Sequence, residues 1–169
     1  MCYGAAPGNC TTQADAVRAY VQSLLKSMHE TWVCVPPELW PKDGSLEAKG
    51  FKPYKEADRD RRPMCKLVKA LYGHPESGGH WEKHLTDAIV AIGGRACETH
   101  PSSFWFPEDR MLLTVYVDDL LLSGPRENHH KVWAKIGKAI NIEEPELLDR
   151  FLGRTHIVTE LPKVSSATR

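Results

Sequence analysis

Asp118 and Asp119 are adjacent carboxylates within Tyr116-Val117-Asp118-Asp119, set between the apolar runs Met111 to Val115 and Leu120 to Leu122. Inside a sheet two ionised groups would be costly, whereas at the tip of a hairpin they can hold a cation. Clustered carboxylate oxygens suit hard divalent ions, and paired divalent ions are the common aid to phosphoryl transfer. That chemistry calls for a third carboxylate from elsewhere in the chain. Asp15, at the head of the Val17, Tyr20, Val21, Leu24, Leu25 pattern, is the candidate. Asp15 has a second reading, the N-cap of the helix that follows it. The Asp pair has one too, an exposed polar turn, although this turn contains neither Gly nor Asn.

The elements that must position these residues follow from periodicity. Gln13 to Ser27 reads as a strand end running into a short helix, with Asp15 at the junction. Thr31 to Val35 reads as a short strand stopped by Pro36-Pro37, and residues 41–63 mix Pro, Gly and charge as a loop. Leu67 to Tyr72 resumes an apolar segment. Glu76 to Ile92 carries Trp81, Leu85, Ala88, Ile89 and Ile92 at helical spacing and ends at Gly93-Gly94. Phe104 to Phe106 and Met111 to Ser123 supply three strands, the last two forming the acidic hairpin. Glu127 to Ile140 reads as a second amphipathic helix, and Phe151 to Val158 as a closing strand. Helices interleaved with an antiparallel hairpin give an α+β class.

Composition narrows the partners and the compartment. At 169 residues and 41% hydrophobic content the expectation is one domain with a real core. Lys and Arg total 22 against 22 Asp and Glu, so any basic surface for nucleic acid must be local. Five cysteines, odd in number and without C-x-x-C spacing, argue against a zinc ribbon or disulfide framework and suit a reducing compartment. Met1 to Thr12 lacks the basic start and apolar stretch of a signal peptide, and no apolar run approaches the roughly 20 residues needed to cross a bilayer. The expected location is intracellular, in a cytoplasmic particle or the nucleus, not secreted and with no membrane partner.

Four blocks in order carry a resemblance. Gln13-Ala14-Asp15 through Ala19-Tyr20-Val21-Gln22 looks like D-V-x-x-A-F-L-x-G, and Lys69-Ala70-Leu71-Tyr72-Gly73 with Trp81 looks like K-A-L-Y-G-L-K-Q-A-x-x-x-W. Tyr116-Val117-Asp118-Asp119 looks like Y-V-D-D, and Phe151-Leu152-Gly153 like F-L-G. Together they resemble the reverse-transcriptase palm of copia-type (Pseudoviridae-like) retrotransposon Pol polyproteins. A lone Y-x-D-D arises easily by chance; four ordered blocks are a far more specific signal.

The resemblance implies a palm-like antiparallel sheet with helices packed on one face, the fingers and thumb being largely missing. It divides the chain into a poorly defined extension (residues 1–12), a partial palm (13–158, with a 36–63 loop) and a tail (159–169). It implies RNA-directed DNA polymerase chemistry, with Asp15, Asp118 and Asp119 as catalytic metal ligands for two Mg²⁺ ions, Mn²⁺ being possible. The implied partners are an RNA template, a DNA primer, deoxynucleoside triphosphates and the remainder of the Pol polyprotein. Arg18 and Ala19 match positions whose backbone N–H groups approach the triphosphate, and Tyr20 matches the aromatic that excludes a 2′-hydroxyl. On spacing alone Tyr20 reads equally as a core aromatic, and Arg18 as a solvated charge. Leu152 and Gly153 match the primer grip; the plainer reading is a strand with a glycine bulge.

The chain departs from the family pattern at His74-Pro75-Glu76-Ser77, where Leu-Lys-Gln-Ala is usual. Glu76 replaces a glutamine near the incoming nucleotide, and an ionised Glu only accepts hydrogen bonds while adding negative charge beside a polyanion. An alternative function is therefore a catalytically inactive remnant that keeps a nucleic-acid-binding palm fold, and the isolated fragment is expected to be inactive. An unrelated two-metal nuclease would need further acidic or His ligands. His80 and His84 lack H-E-x-x-H order and read as packing or surface residues, and Arg59 to Arg62 as a solvated run.

Overall fold

The computed structural model describes residues 3–36, 38 and 64–157. The chain divides into two compact units, Met1–Val17 with Ala88–Arg169, and Arg18–Asp87. The loop expected over 36–63 and the tail expected over 159–169 lie almost wholly outside the described residues.

The first unit is built on a sheet. Its strands are β1 (Asn9–Asp15), β4 (Arg95–Ala96), β5 (Ser103–Phe106), β6 (Met111–Tyr116), β7 (Asp119–Pro125) and β8 (Glu146–Leu147). They pair antiparallel in the order β4-β5-β6-β7-β1-β8. Leu120, Leu121 and Leu122 favour helices by intrinsic propensity, yet all are buried in β7, because tertiary burial on both faces outweighs propensity. β1 starts at Asn9, so the segment expected to be an undefined extension supplies part of an internal strand. Its turn also contributes Tyr3, whose ring meets Trp105 edge-on at 5.8 Å.

The register sorts the faces. Cys10, Thr12 and Ala14 of β1 align with Gly124, Leu122 and Leu120 of β7, then with Leu113 and Val115 of β6 and Phe104 of β5. This face is apolar and packs against α3 (His129–Ala139), which buries Val132, Trp133 and Ile136. A 3₁₀ turn, Arg126–Asn128, leads into that helix. The last turn of α2 (Ser77–Ala91) reaches the same face, since a Cβ on Gly94 would meet Ile89 and Phe106 within 3.2 Å. Gly93, at φ 99°, and Gly94 return hydrogen bonds to Val90 and Ile89, closing the helix in a Schellman motif that only glycine enters cheaply. Gln13, Asp15, Leu121 and Asp119 point to the other face.

The second unit holds α1 (Ala19–Gln22) and a two-stranded ribbon of β2 (Trp32–Cys34) and β3 (Met64–Lys66). The ribbon continues toward Leu24 and Lys69 as an isolated bridge, with Ala70 N–H donating to the Ser23 carbonyl at 3.1 Å. Residues 77–87 of α2 complete it. Ser77, fully buried, donates through its hydroxyl to the Leu71 carbonyl at 2.7 Å and accepts from the Leu71 N–H at 3.0 Å.

One closing strand over Phe151 to Val158 is corrected. β9 (Arg150–Phe151) and β10 (Arg154–Thr155) pair across Leu152-Gly153. Both loop residues have positive φ, 49° and 74°, the requirement of a type I′ hairpin turn, so the chain reverses where a continuous strand or bulge was expected.

Candidate carboxylate site

Asp15 is the last residue of β1, and its register partner in β7 is Asp119. The N-cap reading of Asp15 fails, since α1 begins beyond a turn and its N-cap is Arg18, in the left-handed region at φ 52°. The backbone locks Asp15 in place on both sides. Ala16 N–H donates to the Asp118 carbonyl at 2.8 Å, and Glu143 N–H donates to the Asp15 carbonyl at 2.8 Å.

Asp118 and Val117 form the two-residue loop between β6 and β7, closed by the Tyr116–Asp119 pair. Val117 has φ 57° while Asp118 does not enter the positive region, the pattern of a type II′ turn that ordinarily takes Gly at its first position. A β-branched residue there is strained by about 1–2 kcal/mol. Such strain concentrates at functional sites.

Two carboxylates directly opposite on neighbouring strands repel, an arrangement that ordinarily destabilises a sheet. Burial, then the charges of Asp15 and Asp118, and a hydrogen bond that the protonated Asp119 donates to Asp15 push the Asp119 carboxyl up from the ordinary value. Asp15 remains exposed, and Asp118 and Asp119 are half-buried. Three carboxylates about a hundred positions apart in sequence thus meet at one end of two adjacent strands. Among the described residues, however, no three His, Cys, Asp or Glu side chains converge closely enough to form a metal cage. The chemistry of the donors fits a hard divalent cation, with Asp15 and Asp119 facing and Asp118 beside them.

A second network, unseen from the sequence, fixes those strands. Trp133 Nε1–H donates to Thr12 Oγ1 at 2.7 Å, and Thr12 Oγ1 lies 2.7 Å from His129 Nδ1. His129 Nε2 lies 3.2 Å from both the Gly124 carbonyl and Cys10 Sγ. A carbonyl can only accept, so Nε2 carries the proton and Nδ1 accepts from the Thr12 hydroxyl. Burial, the dominant cause, holds His129 below its ordinary value despite the bonds to Gly124 and Cys10, in keeping with this neutral tautomer. One helix is thereby pinned to both β1 and β7, the strands that carry Asp15 and Asp119. The i,i+4 pair His129 and Trp133 was the only available signal, since Thr12 is remote in sequence.

The other expected nucleotide residues belong to the second unit. Arg18 is exposed, Ala19 is fully buried, and Tyr20 is half-buried with its ring 4.5 Å from that of Tyr72 at a 41° tilt. Tyr20 therefore has a packing partner, but the partner is itself 53% exposed. Glu76 is exposed; the nearby Ser27 hydroxyl, then His80 and His74, hold its carboxyl below the ordinary range. His80 Nε2 approaches Glu76 at 3.5 Å. His80 and His84 take separate roles, His84 lying beside the Trp81 ring with centroids 5.9 Å apart. Leu152 is exposed at the tip of the β9–β10 hairpin, and a Cβ on Gly153 would meet nothing within 4 Å. Gly153 is thus explained by its positive φ, with no close backbone approach among the described residues. No helix among the described residues is long and apolar enough to cross a membrane.

No family model matches the sequence, and no solved structure matches the chain. Over 100 residues the chain is 30% identical to a retrovirus-related Pol polyprotein from transposon RE1 of Arabidopsis thaliana. That match covers 57% of this chain and 7% of the polyprotein. The likeness supports an origin in a retrotransposon Pol polyprotein.

Proposed function

We propose that this chain is the palm portion of a copia-type reverse transcriptase, an RNA-directed DNA polymerase segment of a Pol polyprotein. The observation that carries the reading is the register of β1 on β7, which sets Asp15 against Asp119 with Asp118 adjacent. Burial first, and then repulsion from Asp15 and Asp118, raises the Asp119 pKa, and a divalent cation would relieve the repulsion. The likeness to a transposon Pol polyprotein supports the same reading.

In this reading Asp15, Asp118 and Asp119 would hold two Mg²⁺ ions, or Mn²⁺, at the end of β1 and β7. Bound divalent ions supply charge stabilisation at the attacking and leaving oxygens of nucleotidyl transfer. The residues' own contribution is placement: α3, through Trp133, Thr12 and His129, keeps β1 and β7 in register so that the carboxylates meet. Arg18 and Ala19 approach the triphosphate of a deoxynucleotide, Tyr20 screens its sugar, and the exposed Leu152-Gly153 turn contacts the primer strand on an RNA template. The match spans 7% of the polyprotein, so polymerase activity itself belongs to a longer Pol chain.

The test is calorimetric titration of Mg²⁺ and Mn²⁺ into the folded chain. Saturable binding lost in Asp119→Asn supports the reading. Equal binding in the variant removes the carboxylate site. A second reading, a non-catalytic remnant, is favoured by Glu76, an exposed carboxylate that His80 Nε2 approaches at 3.5 Å and that would add negative charge beside a triphosphate. Primer extension by a longer Pol chain with Glu76→Gln separates the two: activity in either form excludes the remnant.

A further inference from the structure

His129 is the first residue of α3, and its buried ring is seated against both β1 and β7. The hydrogen bonds around it run in one direction. Trp133 Nε1–H donates to Thr12 Oγ1, the Thr12 hydroxyl donates to His129 Nδ1, and His129 Nε2–H donates to the Gly124 carbonyl, with Cys10 Sγ also 3.2 Å away. Because the chain ends on a carbonyl, which only accepts, its direction cannot be reversed. It is complete for the neutral imidazole alone. A proton added at Nδ1 turns that atom into a donor aimed at Thr12 Oγ1, and the Thr12 hydroxyl must then direct its own proton elsewhere. Among the described residues Thr12 Oγ1 bonds to Trp133 and His129 and to nothing that could accept it.

The groups that face the ring oppose a cation there. The turn before α3 brings the positive charge of Arg126, β1 brings Cys10, a thiol that burial keeps neutral, and β7 brings only the Gly124 carbonyl. The ring's own helix adds the positive end of its dipole and the neighbouring His130. Burial, the largest cause, and the Arg126 charge hold His129 below its ordinary 6.5 against the opposing bonds to Gly124 and Cys10. Carboxylates stand on the other side. A groove of about 480 Å³ between α3 and residues 142–145 is lined by Thr12, His129 and His130 and by the exposed Glu143 and Glu144.

We propose that His129 is a pH-operated latch on the β1–β7 pair: neutral, it ties α3 to both strands through Thr12 and Gly124; protonated, it leaves that seat for the groove, where Glu143 and Glu144 face its charge and water reaches the freed Thr12 hydroxyl. Three positions of β1 separate Thr12 from Asp15, roughly 10 Å at about 3.4 Å per residue, so the latch acts on the strands that carry the carboxylates. It stands on the hydrogen bonds and does not rest on the polymerase reading. A histidine lowered on folding contributes stability that is complete above its unfolded value and is lost as pH falls below 6.5 toward the folded value. One proton gives at most about a tenfold fall in the folding constant per pH unit. Asp119, raised on folding, changes stability in the opposite sense and cannot imitate this loss.

The experiment follows the Trp133 indole N–H and the His129 ring by NMR on the whole chain as pH is lowered through the histidine range, with urea midpoints at the same pH values. In wild type the indole signal should leave its hydrogen-bonded position in one transition shared with the His129 ring, and the urea midpoint should fall with it. His129→Gln keeps an amide donor and acceptor without a titrating ring and should make the indole signal and the midpoint level across that range. Where that variant does not fold, the Thr12 variants decide: Thr12→Val should leave the indole unbonded at every pH, and Thr12→Ser should restore the wild-type transition. Glu143→Gln combined with Glu144→Gln should move the transition to lower pH, and His130→Gln should leave it in place. Separate transitions for Trp133 and His129, a wild-type profile in His129→Gln or Thr12→Val, or an unmoved transition in the Glu143 and Glu144 variant overturns the proposal.

Discussion

The two units solve burial differently. In the unit of residues 1–17 and 88–169, six strands and α3 enclose Phe104, Phe106, Met111, Leu113, Leu120 and Leu122. In the unit of residues 18–87, a two-stranded ribbon leaves Leu24, Met28, Trp32, Met64, Val68, Leu71 and Tyr72 substantially exposed. A ribbon of two strands is marginal by itself in water, and a sheet needs three or more with one face covered. The carboxylates that repel one another stand on the unit whose core can absorb that cost, whereas the residues matched to nucleotide handling stand on the sparse one. Rigid positioning is thus concentrated where charge must be held against charge.

The comparison breaks first if the cores are equivalent. Leu122→Ala removes a fully buried side chain from the sheet and should cost about 2–5 kcal/mol. Trp32→Ala, at a residue 50% exposed, should cost less than about 1 kcal/mol. Urea unfolding of the two variants decides. In the same sense, amides of β7 should exchange far more slowly than those of β2 and β3; equal protection would remove the distinction.

Next in size is the clasp between the β5–β6 turn and α3. Asp109, with 2% of its side chain accessible, accepts from Lys131 Nζ at 2.5 Å and Lys135 Nζ at 2.8 Å. Asn128 Nδ2 donates to the Asp109 backbone carbonyl at 2.9 Å. Asp109→Ala should destabilise by about 1–3 kcal/mol, the penalty of a broken buried hydrogen-bond set. Lys131, then Lys135, lower the Asp109 carboxyl below its ordinary 3.8. A carboxyl lowered on folding contributes stability above its unfolded pKa, and that contribution disappears as pH falls from 3.8 through the lower folded value. Below pH 3.8 the wild type should therefore lose stability more steeply than Asp109→Ala, the gap between the two closing as pH falls, and identical acid limbs would show the clasp to be inert.

What could be read in the sequence was what lies in local periodicity. The helix expected over Glu76 to Ile92 is Ser77–Ala91, because Trp81, Leu85 and Ile89 repeat every four residues and Gly93-Gly94 closes it. The acidic hairpin follows from two apolar runs around a two-residue loop. What escaped was pairing between distant segments. Asn9 to Thr12 is polar and small, with no apolar alternation, and becomes strand only because β7 and β8 bracket it. β4 and β8 are two residues each, too short for any period to register. Of the site, the carboxylates were legible as types. Val117's left-handed backbone and the Thr12–His129–Trp133 network were not, since both exist only once strands and helix meet.

A smaller effect sharpens the strained turn. Val117 is 42% exposed at φ 57°, so Val117→Gly gives up little packing and relieves roughly 1–2 kcal/mol of left-handed strain. Glycine's extra unfolded-state entropy returns about 0.5–1 kcal/mol. The net expectation is a gain of about 0.5–1 kcal/mol in thermal unfolding. A loss would mean that Val117 supplies contacts worth more than its strain.

The smallest effect has the sharpest sign. A carboxyl whose pKa is raised on folding, as Asp119's is by burial, Asp15 and Asp118, binds its proton more tightly in the native state than in the unfolded one. Its contribution therefore favours folding below the unfolded value of 3.8 and is lost as pH rises through the folded value. Above that window the ionised group works against the fold, so Asp119→Asn should raise the melting temperature at neutral pH and leave it nearly unchanged near pH 3. The change should stay within about 0.5 kcal/mol, since the residue is only half-buried and solvent screens the repulsion. Mg²⁺ should act in the same direction on wild type at neutral pH by neutralising the pair, and should add little to the variant, whose pair is already uncharged on one side. If Asp119→Asn instead lowers the melting temperature at neutral pH, Asp119 is a stabilising structural acceptor, and the sheet holds no strained acidic pair for a cation to relieve.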